Sequence, residues 1–148
     1  MPNAEGRMPN DNSFHFPRAD NHQEANVSEE LKLRTKKFAV RVLGFVDALP
    51  TTIKGRIIAN QIGRSGTAVG ANYRAACRAR SRAEFIAKVG IVEEEADETS
   101  FWLELAEETG AVPRGRIELL RQESQELTAI MASSRITAQR NRSSPISR

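Results

Sequence analysis

Apolar side chains, with one threonine among them, recur at alternating spacings of four and three residues in the middle of the chain. The series comprises Phe85, Val89, Val92, Ala96, Thr99, Leu103 and Ala106. Because this alternation keeps side chains on one face of an α-helix, it predicts a long helix that buries a single seam. Similar seams occur on both sides of it, and 148 residues suffice for one domain with its own core. We therefore predict an all-α fold, an antiparallel up-down-up-down four-helix bundle.

Capping residues and helix breakers set the limits of four predicted helices: Ser28 to Leu49, Thr51 or Thr52 to Ala79, Ser81 to Thr109, and Pro113 onwards. Ser81 and Glu84 have the spacing of a capping box, and Gly110 is placed as a C-cap glycine. The residue before Pro50 is pushed out of the α region, which ends the first helix. Proline is favoured in the first turn of a helix, so Pro113 starts the fourth.

The two ends of the chain differ from its middle. Residues 1–27 are polar, rich in asparagine and without a helical period, so we predict that they are disordered, with Phe14 and Phe16 as their apolar anchors. Residues 141–148 are predicted to form a disordered basic tail. The predicted bundle therefore occupies residues 28–140.

The second predicted helix carries a ridge of small residues four apart: Ala59, Gly63, Thr67, Ala71, Ala75 and Ala79. Gly66 and Gly70 continue the pattern beside it. A glycine inside a helix costs roughly 1 kcal/mol relative to alanine. Gly63, Gly66 and Gly70 therefore predict the close approach of a neighbouring helix, which we expect to be the third. A kinked or frayed second helix is the alternative.

The second and third helices carry opposite charge. Residues 52–80 contain six cations and no acid, whereas residues 81–109 contain nine acids and two cations. The two helices neutralise each other only in part, because six cations on one helix cannot all face one neighbour. Glu94 and Glu98 are expected to pair with arginines of the second helix. We therefore predict surplus cations on the outside of the bundle.

Eight cations of the first two helices are candidate contacts to nucleic-acid phosphates: Lys36, Lys37, Arg41, Arg56, Arg64, Arg74, Arg78 and Arg80. Lysine and arginine bind phosphates by releasing condensed counterions, without reading the base sequence. Tyr73 is the one stacking ring in this region, so base-specific readout has little support. Ion pairs between subunits are the competing use of the same residues.

The residue types needed for catalysis or metal binding are sparse. Neither histidine lies in a predicted helix, so Ser65, Ser100 and Ser124 have no histidine partner for nucleophilic chemistry. Cys77 is the sole cysteine, which excludes a Cys/His metal site and fits an inert thiol in a reducing compartment. No apolar run approaches the ~18 residues of a membrane span. The expectation is a cytoplasmic protein that is not an enzyme and needs no cofactor.

Three apolar residues of the third helix lie off its seam: Ile91, Trp102 and Leu105. A second apolar stripe on one helix predicts that the helix is covered on two sides, by its own bundle and by another subunit. Together with Gly63, Gly66, Gly70 and Asn72, these residues are our candidates for helix packing or oligomer contacts.

Several motifs lie between Gln61 and Leu105: Gln61-x-x-Arg64-Ser65-Gly66, Val69-Gly70-Ala71-Asn72-Tyr73-Arg74, Arg80-Ser81-x-x-Glu84-Phe85, and Glu93 to Glu98 before Trp102-Leu103. In these motifs the chain resembles the four helix bundle protein family, which includes proteins encoded within intervening sequences of large-subunit ribosomal RNA genes. That family is similar to the accessory variability determinant of diversity-generating retroelements. That determinant is a pentameric ring of four-helix subunits whose basic surface binds nucleic acid and a reverse transcriptase. Many members carry serine and glutamate where this chain has Ala68 and Ala75.

The leading hypothesis is a non-enzymatic accessory protein that binds the backbone of RNA or DNA. By its resemblance it forms a homo-oligomeric ring, expected to be a pentamer, and a reverse transcriptase or another protein is a further expected partner. The alternative is a protein-interaction or assembly scaffold without nucleic-acid binding, whose arginines are used in ion pairs.

Overall fold

Four α-helices make up nearly all of the computed structural model, which describes residues 22–143. The helices are α1 (His22–Val46), α2 (Ile53–Ala76), α3 (Arg82–Glu108) and α4 (Glu118–Ser143). Consecutive helices pack along their lengths, whereas α1 meets α4 over a much shorter stretch. The predicted all-α, antiparallel up-down-up-down four-helix bundle is confirmed.

The helical region extends into both predicted ends. Helix α1 starts six residues before Ser28, and α4 continues past residue 140 to Ser143. Ser28 does not cap a helix, because its hydroxyl donates to the carbonyl of Ala25 one turn earlier, at 3.2 Å. Residues 1–21, with Phe14 and Phe16, and residues 144–148 lie outside the described residues. For residues 1–21 and 144–148 the predicted disorder stays a prediction, whereas residues 22–27 and 141–143 belong to helices.

The capping signals in the sequence correctly predict where α3 begins but not where α4 begins. Ser81 caps α3, because its hydroxyl accepts the N–H of Glu84 at 3.0 Å. The prediction that Pro113 begins the fourth helix is wrong, since α4 begins at Glu118. Gly115 has φ +82°, a left-handed conformation that interrupts the helix between them. Its N–H donates to the Glu107 carboxylate at 3.0 Å, which fixes the turn to the end of α3.

The core lies along the predicted seams. Every predicted seam residue of α3 except Phe85 is buried, and Phe85 is partly buried against the same core. The other helices complete the core mainly with Phe38, Val42, Ile62, Val69, Tyr73, Leu127 and Met131. Buried polar residues lie within this core and are hydrogen-bonded. The hydroxyls of Ser65 in α2 and Thr99 in α3 lie 2.9 Å apart, and the Ser124 hydroxyl donates to the carbonyl of Ala96.

The glycines of α2 face α1 rather than the acidic third helix. A Cβ on Gly66 would lie 2.6 Å from Cγ1 of Val42, and a Cβ on Gly70 would lie 3.2 Å from the carbonyl oxygen of Thr35. A Cβ on Gly63 would meet nothing within 4 Å. Glycine thus lets the two basic helices pack closely, because it leaves room for the Val42 side chain at Gly66 and for the α1 backbone at Gly70. The expectation that α3 is the close neighbour at these glycines is wrong.

Candidate functional site

Charge is divided between the two halves of the bundle. Residues 22–80, which include α1 and α2, carry eleven lysines and arginines against four acids. Residues 81–143, which include α3 and α4, carry eight against twelve acids. The half formed by α1 and α2 is therefore strongly positive, and the other half is negative. A surface that attracts anions is built on the α1–α2 half.

Some arginines are held by carboxylates of neighbouring helices. Arg64 of α2 lies 3.1 Å from Glu95 and 2.5 Å from Glu98 of α3. The hydrogen bond from Arg64 holds the pKa of Glu98 below its usual range. Glu98 therefore pairs with the second helix as predicted, but Glu95 takes the place expected for Glu94, whose side chain is exposed.

Further ion pairs join α4 to its neighbours. Arg34 of α1 contacts Glu123 at 2.6 Å and Glu126 at 2.5 Å. Arg135 of α4 contacts Glu93 of α3 at 2.7 Å. Sequence reasoning missed both arginines, because each lies far along the chain from its partner and no local spacing connects them. These pairs show which cations of the bundle are already neutralised.

All eight candidate phosphate-binding residues are exposed. Arg64 is occupied by its two carboxylates. Within residues 22–143, the other seven side chains have no carboxylate within ion-pair distance: Lys36, Lys37, Arg41, Arg56, Arg74, Arg78 and Arg80. These seven residues, called here the cationic set, lie on α1, on α2 and just beyond the end of α2. They remain free to meet an anionic partner.

A groove between α1 and α2 brings part of the cationic set together. It has a volume of about 390 Å³ and is lined by Glu29, Lys32, Leu33, Lys36, Ala39, Thr67, Gly70, Ala71 and Arg74. Lys36 and Arg74, from different helices, lie on its walls, and Lys32 pairs with Glu29 beside them. The close approach at Gly70 draws these two cationic helices together. Lys32 and Leu33 were not among the predicted site residues, although Lys32 lies one helical turn before Lys36.

Tyr73 does not offer a stacking surface. Its side chain is only 3% exposed, and burial raises its pKa far above the usual range. Burial also raises the pKa of the neighbouring Cys77 thiol, which is half-buried. A thiol with a raised pKa is a poor nucleophile. Neither side chain contributes reactive or stacking chemistry to the basic half of the bundle.

The apolar stripe on α3 is partly exposed. Ile91 is exposed, and Trp102 and Leu105 are half-buried. Trp102 donates its indole N–H to Glu98 at 3.3 Å, which ties it to the Arg64 pair. Phe101, which sequence reasoning missed, is 52% exposed and meets Trp102 edge-on, with ring centroids 5.4 Å apart. The sequence could have indicated this ring, because Phe101 lies off the seam of α3, directly before Trp102.

Asn72 keeps its side chain within its own helix. Its amide donates to the carbonyl of Ala68 at 2.9 Å, and the residue is half-buried. Within residues 22–143, no group of three His, Cys, Asp or Glu side chains could hold a metal ion. No helix in this range is long and apolar enough to span a membrane. The predicted cytoplasmic location stays a prediction.

Four antiparallel helices with a segregated charge define the class as a four-helix bundle protein with one basic half. The family model described as "23S rRNA-intervening sequence protein" matches residues 30–133, so the chain belongs to that family. The chain is also similar to the crystal structure of a protein of unknown function from the S23 ribosomal protein family of Bacteroides thetaiotaomicron. The TM-score is 0.66 at 38% identity, covering 71% of this chain and 97% of the other. No curated protein matches the sequence.

Proposed function

We propose that the protein is a non-enzymatic accessory protein that binds the phosphate backbone of RNA or DNA through the cationic set. The observation that carries this proposal is the exposure of seven cations that no described carboxylate neutralises. The name of the family refers to an intervening sequence of 23S rRNA, which supports RNA as the partner. No enzyme family is indicated by the comparisons.

The division of charge explains why the bundle does not use these cations itself. Seven acids of α3 and α4 are paired with Arg34, Arg64, Arg121 and Arg135, mostly across the contacts between helices. The cationic set lies away from these contacts, so its side chains stay solvated until an anion arrives. Each phosphate that these cations neutralise releases condensed counterions, which adds to the binding free energy and makes it salt-dependent.

The proposal includes self-association, with a pentameric ring as the form that the resemblance implies. The exposed part of α3 supports a subunit contact there, because Ile91 and Phe101 leave apolar surface in water and Phe101 meets Trp102 edge-on. A reverse transcriptase or another protein is a further proposed partner. A ring would present several copies of the cationic set to one nucleic acid and so raise its avidity.

A scaffold without nucleic-acid binding is the second candidate, and α1 carries the observation that favours it. Leu33, Val40 and Leu43 are between 51% and 63% exposed, and all three lie within three residues of Lys36 or Arg41 in the sequence. Exposed apolar side chains of this kind mark protein interfaces. In this case the cationic set would meet acids of a protein partner, and RNA would not compete for it.

Reversal of two charges separates these functions. Arg74→Glu together with Arg78→Glu should abolish the binding of a labelled RNA measured by fluorescence anisotropy, because both residues belong to the cationic set. Arg114→Glu together with Arg116→Glu is the matched control, since it makes the same change in net charge at exposed positions of the α3–α4 turn. The control should retain most of the affinity. Circular dichroism and light scattering establish that both variants fold and keep their mass.

The possible outcomes distinguish nucleic-acid binding from the scaffold function. Loss of RNA binding in the α2 variant alone, at unchanged mass, supports the proposal. If instead the α2 variant dissociates into monomers, or if wild-type protein fails to bind RNA at low salt, the scaffold function replaces it.

A further inference from the structure

Within residues 22–143, the exposed phenylalanine ring and the free cations lie on different halves of the bundle. Within residues 22–143 the phenylalanine and tyrosine rings on the basic half are Phe38, Phe45 and Tyr73, and the half also carries the exposed imidazole of His22 at the start of α1. Phe38 and Tyr73 are 1% and 3% exposed, and Phe45 packs against the core. None of these three rings is therefore exposed beside the described members of the cationic set, and Phe85, at the start of α3 near Arg80 in the chain, is half-buried against the core.

The exposed ring, Phe101, stands in an acidic environment. On a helix, residues three, four and seven apart share a face, so Phe101 lies with Asp97, Glu104 and Glu108 on the outer side of α3. Its neighbour Trp102 is hydrogen-bonded to the carboxylate of Glu98. A phosphate approaching these rings meets negative charge, so nucleic acid is repelled from the surface that could stack its bases.

Single-stranded and double-stranded nucleic acids need different surfaces. Proteins that bind single strands combine cations with aromatic rings on which successive bases stack, and each stacked base is worth about 1–3 kcal/mol. A duplex keeps its bases stacked inside and offers its phosphates at a higher charge density. Cations without rings therefore suit a duplex.

The length of the cationic set also fits a duplex. Arg56 and Arg74 lie on the same helix, and their separation in the chain corresponds to about 27 Å along its axis. Lys36 lies on the wall of the α1–α2 groove opposite Arg74. This span covers most of one turn of a duplex, which is about 34 Å. Cations at both ends can thus contact backbone phosphates of one double-stranded segment without entering a groove to read bases.

We propose that the nucleic acid bound by the cationic set is double-stranded, held by its phosphate backbone irrespective of sequence. This inference rests on the proposed function and names its substrate class. RNA and DNA duplexes share the recognised chemistry, so the experiment compares both.

The test uses the full chain and four labelled probes of about 20 nucleotides or base pairs, a length near two turns of duplex. The probes are an RNA hairpin stem, a second stem of scrambled sequence, one unpaired strand of the first stem, and the first stem as DNA. We expect the first two to bind equally, and about tenfold more tightly than the single strand at moderate salt. Tight binding of the DNA stem identifies phosphate as the shared determinant, and preference for the RNA stem adds a contribution from the 2′-hydroxyl.

Two outcomes overturn the inference. A single strand that binds as tightly as the stems refutes it while leaving the proposed function intact, whereas failure of every probe refutes both. Because Phe14 and Phe16 lie outside the described residues, a double variant, Phe14→Ser with Phe16→Ser, completes the test. The affinity for the stems should be unchanged in this variant, and a loss of tenfold or more would show that stacking rings take part after all.

Discussion

Gly63 and Gly66 lie three residues apart on α2, yet their surroundings differ. A side chain on Gly66 would overlap with Val42 of α1, whereas a side chain on Gly63 would meet open space. Glycine is therefore required for helix packing at position 66, whereas at position 63 it has no packing partner within the described residues. A glycine without a packing role lowers helix stability, because its backbone is more flexible in the unfolded chain.

This contrast gives a matched pair of variants. Gly66→Ala should lower the free energy of unfolding by about 1–3 kcal/mol, because the added methyl group overpacks the contact with Val42. Gly63→Ala should leave it unchanged or raise it by up to about 1 kcal/mol, the gain expected for alanine in a helix. Urea unfolding followed by circular dichroism measures both. Equal effects of the two substitutions would show that the α1–α2 contact is looser than the structure places it.

At the scale of the helices, α2 and α3 are joined by an ion pair at the surface and a hydroxyl pair beneath it. Arg64 bridges Glu95 and Glu98, and Ser65 next to it meets Thr99 inside the bundle. The carboxyl of Glu98 has a lower pKa in the folded protein than in the unfolded chain, because Arg64 donates a hydrogen bond to it. Its contribution to stability is therefore present above the unfolded-state pKa of about 4.3.

The predicted pH dependence follows from this sign. As the pH falls from about 4.3 through the lower folded-state pKa of Glu98, the unfolded chain takes up the proton first and stability is lost. Glu98→Gln should reduce the slope of unfolding free energy against pH in this window. Glu94→Gln removes a carboxylate from the same helix without touching the Arg64 pair, and should keep the wild-type profile. Identical profiles for wild type and Glu98→Gln would rule out the pair as a source of acid sensitivity.

The elements differ in how well the sequence predicts them. The seam and the Ser81 cap of α3 are local patterns, and both are predicted correctly. The start of α4 is mispredicted because proline in a first turn is only a preference, while the left-handed Gly115 depends on its bond to Glu107. The partner of the α2 glycines could not be assigned either, since small residues predict a close neighbour without saying which one. The pairing of Arg34 with α4 depends on tertiary contacts that no sequence spacing encodes.

For the whole molecule, the central claim is that charge is sorted into two halves and that seven cations of the basic half have no carboxylate partner within residues 22–143. Sequence counts predicted the surplus of cations but not which of them are neutralised. Arg64 was a candidate for phosphate binding and is held by two carboxylates instead. Only the geometry of neighbouring helices makes this distinction.

The apolar part of α3 leads to a prediction about assembly. Ile91→Arg combined with Leu105→Arg should convert a homo-oligomer into monomers, because two charges would be buried in the proposed subunit contact. Light scattering coupled to gel filtration measures the mass. Ile53→Arg, at an apolar residue that is 82% exposed on α2, is the control and should leave the mass unchanged. An unchanged mass in the double variant would exclude this part of α3 as the contact.

The salt dependence of RNA binding tests the central claim most directly. A triple variant combines Lys36→Ala, Arg74→Ala and Arg78→Ala. It should lower the slope of log affinity against log salt by about 2 to 3, since each phosphate contact contributes about 0.7 to 0.9. Arg64→Gln should leave the slope as in wild type, because its charge is already used within the bundle. Two results would contradict the claim. One is a triple variant that keeps the wild-type slope. The other is an Arg64→Gln variant whose slope falls by one third of the fall seen in the triple variant, which is the share of one charge.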